Sequence, residues 1–319
     1  MNRRLTFTAL DVGDGSDGRW AAAAGAAWPD AASWYTGRGV RAAERLFAER
    51  MPELLPVLDR LAAGLDRPGG RAALAHAGLR PFFSGCTQAA VDGVLLRNYD
   101  FHPAQCSRTV VSSDFLRPVI GMQELFWGLL DGMNDAGLAV SLTFGGRFVH
   151  GPGFSVLLVL RYLLETCDSV GQALAALGRL PVATAQNLTL VDASSALTVQ
   201  VGPDLEPTVT SEPRAANHQS APVPEEQERV TRTRQRLAAV REAADSPDAV
   251  LAALLRPPLH QLRYDEGLGT LYTAVYRPAD GRVGYHWPGE PPWEQSFAAF
   301  APGSRTVTVG RTAGAPDPW

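Results

Sequence analysis

Cys86 follows Ser84-Gly85 and precedes Thr87. A lone cysteine in a globular chain is ordinarily an inert, small, buried hydrophobe. The neighbours of Cys86 suit another role. Glycine offers the least hindered carbonyl carbon to a thiol one residue on, so Gly85–Cys86 is a bond where a backbone N-to-S shift, and hence self-cleavage, meets little steric resistance. Further on comes Arg97-Asn98-Tyr99-Asp100. A guanidinium beside a thiol favours the thiolate, the form that attacks carbonyls. A carboxylate at Asp100 could orient that arginine or hold an amine. The same Arg–Asp spacing fits an ion pair at an exposed strand end equally well.

These residues meet only if the chain doubles back between them. Cys86-Thr-Gln-Ala-Ala-Val and Val94-Leu-Leu-Arg-Asn-Tyr flank Asp92-Gly93, the signature of a β-hairpin with a two-residue turn. That hairpin starts at the cysteine and returns Arg97 and Asn98 near the level of Cys86 and Thr87. A strand at Gly137–Phe144 comes next, then a helix over Ser155–Thr166. A second helix over Val170–Leu177 is capped by Asp168 or Ser169. Asn187–Asp192 and Leu197–Val201 form another hairpin. Thr208–Glu226 is polar and proline-rich, hence loop, and Glu226–Ala244 is a charged helix. Ser246-Pro247 opens a further helix with a cap and a first-turn proline. Thr270–Tyr276 and Val283–Trp287 make a late hairpin across Asp280-Gly281, and the tail from Gly310 is frayed.

The segment before Cys86 is expected to be helical. Leu46, Met51, Leu54, Leu55, Leu58 and Leu61 recur at helical spacing, with a break at Pro52. Strands that come in hairpins, with helices in blocks between them, argue for α+β rather than βαβ crossovers. No glycine-rich phosphate loop follows a strand, and Gly145-Gly146 lacks the spacing of one.

Several classes are excluded. The 319-residue chain is 45% hydrophobic and 19% charged with net charge −4, a globular composition without the basic excess that nucleic acid requires. All 29 basic residues are arginine, which rules out a catalytic lysine. Three cysteines (Cys86, Cys106, Cys167) are too few for a disulfide framework. His102 and Cys106 would share a helix face, but Pro103 between them argues for loop, so no metal is expected. Met1-Asn-Arg-Arg leads into no apolar stretch, and the run Phe154–Leu160 stops at Arg161, so neither a signal peptide nor a membrane span is expected. The expectation is a cytoplasmic protein without cofactor, its oligomeric state left open. The arginines from Arg229 to Arg241, interleaved with Glu and Ala, suit a solvated helix face. Trp287, Trp293 and Trp319 suit packing better than a pocket.

Gly85-Cys86-Thr87 with Arg97-Asn98-Tyr99-Asp100 resembles the penicillin acyltransferase-like (isopenicillin N acyltransferase) cysteine peptidases among the N-terminal-nucleophile hydrolases. Leu163–Leu174, Asn187–Asp192 and Ala216-Asn217-His218 resemble the same family in the same order, from about Ser84 to Tyr272. The resemblance implies a four-layer αββα sandwich of two mostly antiparallel sheets flanked by helices. It implies a cut at Gly85–Cys86 that separates residues 1–85, a pro-segment or small chain, from a catalytic domain of residues 86–319. The new α-amine of Cys86 then serves as base for its own thiol. Its ordinary pKa of about 7.7–8.0 suits that exchange, and no histidine is needed. By the resemblance Arg97 and Asp100 position amine, thiol and substrate, and Asn217 is the side-chain donor of the oxyanion hole. A backbone N–H near Thr143-Phe144 would be the second donor. Thr87, Asn98, Tyr99 and His218 fall beside the site. The arginine that follows the Asn-His motif in the family is one of Arg232, Arg234 and Arg236, and Arg232 is chosen. Gln219 stands where an aromatic is usual, and Thr36-Gly-Arg-Gly-Val where many members carry a glycine-rich motif. The expected activity is that of a self-processing amidohydrolase or acyltransferase on a small amide or acyl-CoA-type substrate. Its rivals are an uncut thiol hydrolase pairing Cys86 with His102 or His218, and a silent member that binds a small amide.

Overall fold

The computed structural model describes residues 3–35, 39–80, 85–219 and 222–310. Ser84, Thr36 to Arg38, and the tail with Trp319 lie outside the described residues. The chain opens with β1 (Arg3–Asp11), then α1 (Arg19–Ala32), α2 (Val40–Arg50), α3 (Leu55–Leu65) and α4 (Gly70–Leu74). The break at Pro52 falls where expected, as a 3-10 turn over Pro52–Leu54. Next come β2 (Gly85–Val91), β3 (Val94–Phe101), β4 (Thr109–Asp114), β5 (Pro118–Glu124), β6 (Gly128–Asn134) and β7 (Ala139–Phe144). The helices α5 (Val156–Thr166) and α6 (Val170–Leu177) follow, with Ser155 and Ser169 as their caps. Then come β8 (Gln186–Val191), β9 (Ala196–Gly202), β10 (Leu205–Val209), β11 (Arg214–Ala215), α7 (Glu225–Thr231), α8 (Thr233–Glu242) and α9 (Pro247–Leu254). The described chain ends with β12 (Leu262–Arg263), β13 (Leu268–Arg277), β14 (Arg282–His286), β15 (Trp293–Ser296) and β16 (Gly303–Val309).

The strands form two sheets among the described residues. One runs β10-β9-β8-β7-β6-β5-β4-β1-β16 and is antiparallel except for the parallel β1–β4 pair. The other runs β11-β2-β3-β13-β14-β15, with β12 beside β13. They face each other through β2 and β3 on one side and β7 and β8 on the other. Helix α5 covers β6 and β7 and α6 covers β8 and β9, while α8 and α9 cover β2 and β3. This is the expected αββα sandwich.

Several elements escape the sequence patterns. Strand β6 is buried at every position, so it does not alternate polar with apolar. Glycines interrupt β5 and β6 where the strands pack closely. A Cβ at Gly121 would collide with the Asp131 carbonyl oxygen. The expected single helix from Glu226 is two, because Arg232 takes a left-handed φ of 52° between α7 and α8. The stretch expected as loop from Thr208 includes the end of β10 and all of β11.

The largest correction concerns the segment before Cys86, which is not wholly helical. Strand β1 lies inside the nine-stranded sheet, between β4 and β16. Phe7, Trp20, Phe47 and Leu58 belong to the same core cluster as Cys86, Trp127 and Tyr272. Phe7 packs at 5.0 Å on Trp287 and edge-on to Tyr272 at 6.3 Å. Replacing Phe7 by Ala should therefore destabilise the whole domain by about 3–5 kcal/mol, measured by urea unfolding. A loss under about 1 kcal/mol would mean that β1 is an appendage rather than part of the core.

Candidate active site

The hairpin β2–β3 turns at Asp92 (φ 48°) and Gly93 (φ 72°), the left-handed pair that a tight hairpin requires. Its register sets Gly85 opposite Asp100, Cys86 opposite Tyr99, Thr87 opposite Asn98 and Gln88 opposite Arg97. Arg97 is thus one pair further along than expected and reaches the thiol diagonally. Alternation along a strand then sorts the residues. Cys86, Gln88, Arg97 and Tyr99 face the other sheet, where Gln88 accepts from Ser141 Oγ at 2.6 Å and donates to the Asn187 carbonyl at 3.2 Å. Thr87, Asn98 and Asp100 face the helices. Asn98 donates to the carbonyls of Leu254 and Leu259 at 2.8 and 3.0 Å and accepts from Thr273 Oγ1.

On the inner face Arg97 Nη2 donates to Cys86 Sγ at 2.9 Å. Arg97 Nη1 donates to the Leu130 carbonyl at 2.5 Å and to Asp131 Oδ2 at 2.9 Å. The guanidinium also lies 5.0 Å over the Tyr99 ring. Burial works against its charge, but Cys86, then Tyr272 and Asp131, more than offset this and hold the Arg97 pKa above its ordinary value. Arg97 and Asp100 are both fully buried, so neither belongs to a surface ion pair.

The outer face holds a second buried arginine. Arg236 Nη1 donates to the Cys86 carbonyl at 2.5 Å and to Thr87 Oγ1 at 2.9 Å. Its Nη2 donates to Asn217 Oδ1, and Asp100 Oδ2 is 3.6 Å from Nη1. Asp100 therefore pairs with Arg236, across the sheet from Arg97. Burial raises the Asp100 carboxyl to about 6, against the opposing pull of Arg236, the Thr270 hydroxyl and Arg97. Thr270 Oγ1 donates to Asp100 Oδ1 at 2.7 Å.

Asn217 completes the ring around the cysteine backbone. Strand β11 pairs with β2 through Arg214–Ala89 and Ala215–Gln88, so the chain after it runs alongside Thr87 and Cys86. Asn217 Oδ1 accepts from the Cys86 backbone N–H at 3.0 Å, and its Nδ2 donates to the Phe144 carbonyl at 3.1 Å. His218 bonds Thr233 Oγ1 through Nδ1 at 2.8 Å, and His102 Nδ1 accepts from the Ala104 backbone N–H. Among the described hydrogen bonds, neither histidine reaches Cys86.

Two residues depart from the expectation. Arg232 is exposed at the α7–α8 junction, and Arg236 occupies the place assigned to it. The sequence did carry the signal. Thr233, Arg236, Leu237 and Val240 are the buried stripe of α8 at helical spacing, so Arg236 is the arginine on its apolar face. Asp131 was missed altogether, although a lone acid in Trp127-Gly-Leu-Leu-Asp-Gly-Met is conspicuous.

A cavity of about 590 Å³ lies at the Phe144 end of the sheet. Ala43 and Leu46 of α2, Leu79, Arg80, Phe154 and Gln186 line it. Gln186 pairs with Phe144, whose carbonyl bonds Asn217, so the cavity lining and the Asn217–Cys86 contact are linked through that strand pair. Among the described residues no three His, Cys, Asp or Glu side chains converge as metal ligands, and no helix is long and apolar enough to cross a membrane.

Comparison with known proteins places this geometry. No curated protein matches the chain. Solved structures that resemble it include a mutant of conjugated bile acid hydrolase from Clostridium perfringens (TM-score 0.46, 13% identity, covering 73% of this chain and 99% of that one). Penicillin V acylase from Agrobacterium tumefaciens gives a TM-score of 0.44 at 13% identity, over 67% and 86% of the two chains. The Caenorhabditis elegans ortholog of N-acylethanolamine-hydrolyzing acid amidase gives 0.42 at 11% identity, over 61% and 92%. A family sequence model matches residues 87–291, more than half of the chain, and the chain accordingly belongs to the acyl-coenzyme A:6-aminopenicillanic acid acyl-transferase family.

Proposed function

We propose that this chain is a self-processing cysteine amidohydrolase or acyltransferase in which Cys86 carries the acyl group. The observation that carries this reading is the 2.9 Å contact from Arg97 Nη2 to Cys86 Sγ, on a cysteine whose backbone N–H and carbonyl are both held by side chains. An inert core cysteine has no need of a buried guanidinium.

In the first step the Cys86 thiol attacks the Gly85 carbonyl. The C–N bond breaks, the Cys86 nitrogen takes a proton, and a thioester forms. Water hydrolyses that thioester, leaving a Gly85 carboxylate and a free Cys86 α-amine. Gly85 suits the step because a Cβ there would lie 3.1 Å from Asp100 Cβ. Asp100 Oδ2, which has no hydrogen bond among the described residues, then receives the new ammonium. Residues 1–85 remain in place as a small chain, since β1 stays paired on both edges.

In turnover the α-amine takes the thiol proton and the thiolate attacks an amide carbonyl. Asn217 Nδ2 turns from the Phe144 carbonyl to the developing oxyanion, and the ammonium protonates the leaving amine. Water or an acceptor amine resolves the thioester. The apolar cavity beside Gln186 suits the acyl group of a small amide or acyl-CoA-type substrate. The acidic net charge argues against nucleic acid, and three cysteines outside any disulfide fit a cytoplasmic location. The uncut Cys–His alternative lacks a histidine on the thiol among the described hydrogen bonds.

Intact-mass spectrometry of purified protein should give two fragments, the larger beginning at Cys86, and Cys86→Ala should give one inactive chain. A full-length wild-type chain that turns over amides would reject the amine as base. Asn217→Ala should lower kcat by about 10²–10³-fold, the cost of one oxyanion donor, and a fall under tenfold would remove Asn217 from that role. The raised Asp100 carboxyl gives a further test. A carboxyl raised above its unfolded value of 3.8 binds its proton more tightly in the folded chain, so it stabilises below that value and loses this contribution as pH rises to about 6. The stability of uncut Cys86→Ala relative to Cys86→Ala/Asp100→Asn should therefore decline between about pH 4 and 6 in urea titrations. A flat or rising difference would contradict a burial cost at Asp100 that outweighs Arg236 and Thr270.

A further inference from the structure

Behind Arg97 lies a buried cluster with no assigned role. Asp131 sits on β6, in the sheet opposite the hairpin. Its Oδ2 accepts from Arg97 Nη1 at 2.9 Å and from the Tyr272 hydroxyl at 2.6 Å. Its Oδ1 accepts from the Tyr276 hydroxyl, which is 3.1 Å from the Tyr285 hydroxyl. All five side chains are fully buried. Burial, with Asp131 next, raises the Tyr272 and Tyr276 phenols and keeps them as neutral donors.

A guanidinium is a planar, rigid fork, so fixing one of its nitrogens fixes the direction of the other. Asp131 and the Leu130 carbonyl together fix Arg97 Nη1. The direction of Nη2 then follows, and it ends on the sulfur. We propose that Asp131, itself held by Tyr272 and Tyr276, is the positioning residue that keeps Arg97 Nη2 on Cys86 Sγ. The inference rests on Cys86 being the nucleophile. It gives Asp131 an effect on the chemical step that passes wholly through Arg97, which a plain link between two sheets would not have.

A double-mutant cycle on the processed enzyme tests this, with octanoyl-p-nitroanilide as probe. Asp131→Asn should lower kcat by about 10²-fold with KM within about threefold, and Asp131→Glu should recover at least about tenfold of that loss. In the Arg97→Gln background, Asp131→Asn should cause no further loss. Additive losses, or a kcat for Asp131→Asn within about threefold of wild type, would overturn the proposal. Where Asp131→Asn fails to fold, Tyr272→Phe and Tyr276→Phe take its place. Each should lower kcat by about 5–20-fold and do nothing further beside Arg97→Gln, and additivity there would be equally fatal. A wild-type enzyme without Cys86-dependent turnover of the probe would count against the proposed function. Asp131 would then be judged from the crystal structure of Asp131→Asn or Tyr272→Phe. Loss of the contact between Nη2 and the sulfur supports the positioning role, and its retention overturns it.

Discussion

The ion pair between Arg97 and Asp131 is the interaction on which the rest of the sandwich is arranged. It joins β3 of one sheet to β6 of the other, in a space from which water is excluded. Taking two charges out of water costs several kcal/mol each, and their attraction offsets that only when further hydrogen bonds satisfy the remaining donors and lone pairs. Asp131 meets this condition, with three donors on its two oxygens. Arg97 meets it less completely, since its Nε has no partner. Removing one member of such a pair costs about 3–5 kcal/mol, a large share of the roughly 5–15 kcal/mol that holds a typical domain together. A purely structural seam would be cheaper to build from leucines. What the charged seam adds is a guanidinium of fixed direction next to a sulfur.

Strand alternation then divides the work of the site between the two faces of one hairpin. The inner face carries the thiol and the arginine that favours its charged form. The outer face carries Asp100 beside Arg236, which grips the Cys86 carbonyl and Thr87. Under the proposed function both are needed: the side chain of Cys86 would be aimed at the substrate while its backbone stays held after the cut. Asn217 serves the same end from the sheet edge, through the Cys86 N–H.

How much of this was legible depended on how local the signal was. The hairpin was legible because Asp92-Gly93 admits few other conformations, and the register followed to within one pair. The helix over Ser155–Thr166 was legible from its apolar run, and that from Val170 from its cap. Strands β5 and β6 were not, because burial along most of both faces erases the alternation that marks a strand. The site showed the same division. Cys86 and Arg97 lie within one hairpin, so their meeting could be argued from spacing, whereas Asp100 on the same hairpin points to the other face and pairs with Arg236. Arg236 and Asp131 come from elements whose approach is set by tertiary packing. Charge spacing left Arg232, Arg234 and Arg236 equivalent, and only the apolar stripe of α8 separates them.

Strand β1 makes the segment before Cys86 part of the sandwich. It pairs with β16 over seven residues, from Arg3 opposite Val309 to Ala9 opposite Gly303, and runs parallel to β4 on its other edge. Without it the large sheet would split between β4 and β16, exposing two unpaired edges and the cavity left by Phe7. The proposed cut at Gly85–Cys86 would remove one covalent bond, with the hydrogen-bond ladders and core left to hold the two pieces together. The same helices that follow β1 also supply Ala43 and Leu46 to the wall of the large cavity. The segment that precedes Cys86 thus supplies both a strand of the large sheet and part of the wall of this cavity.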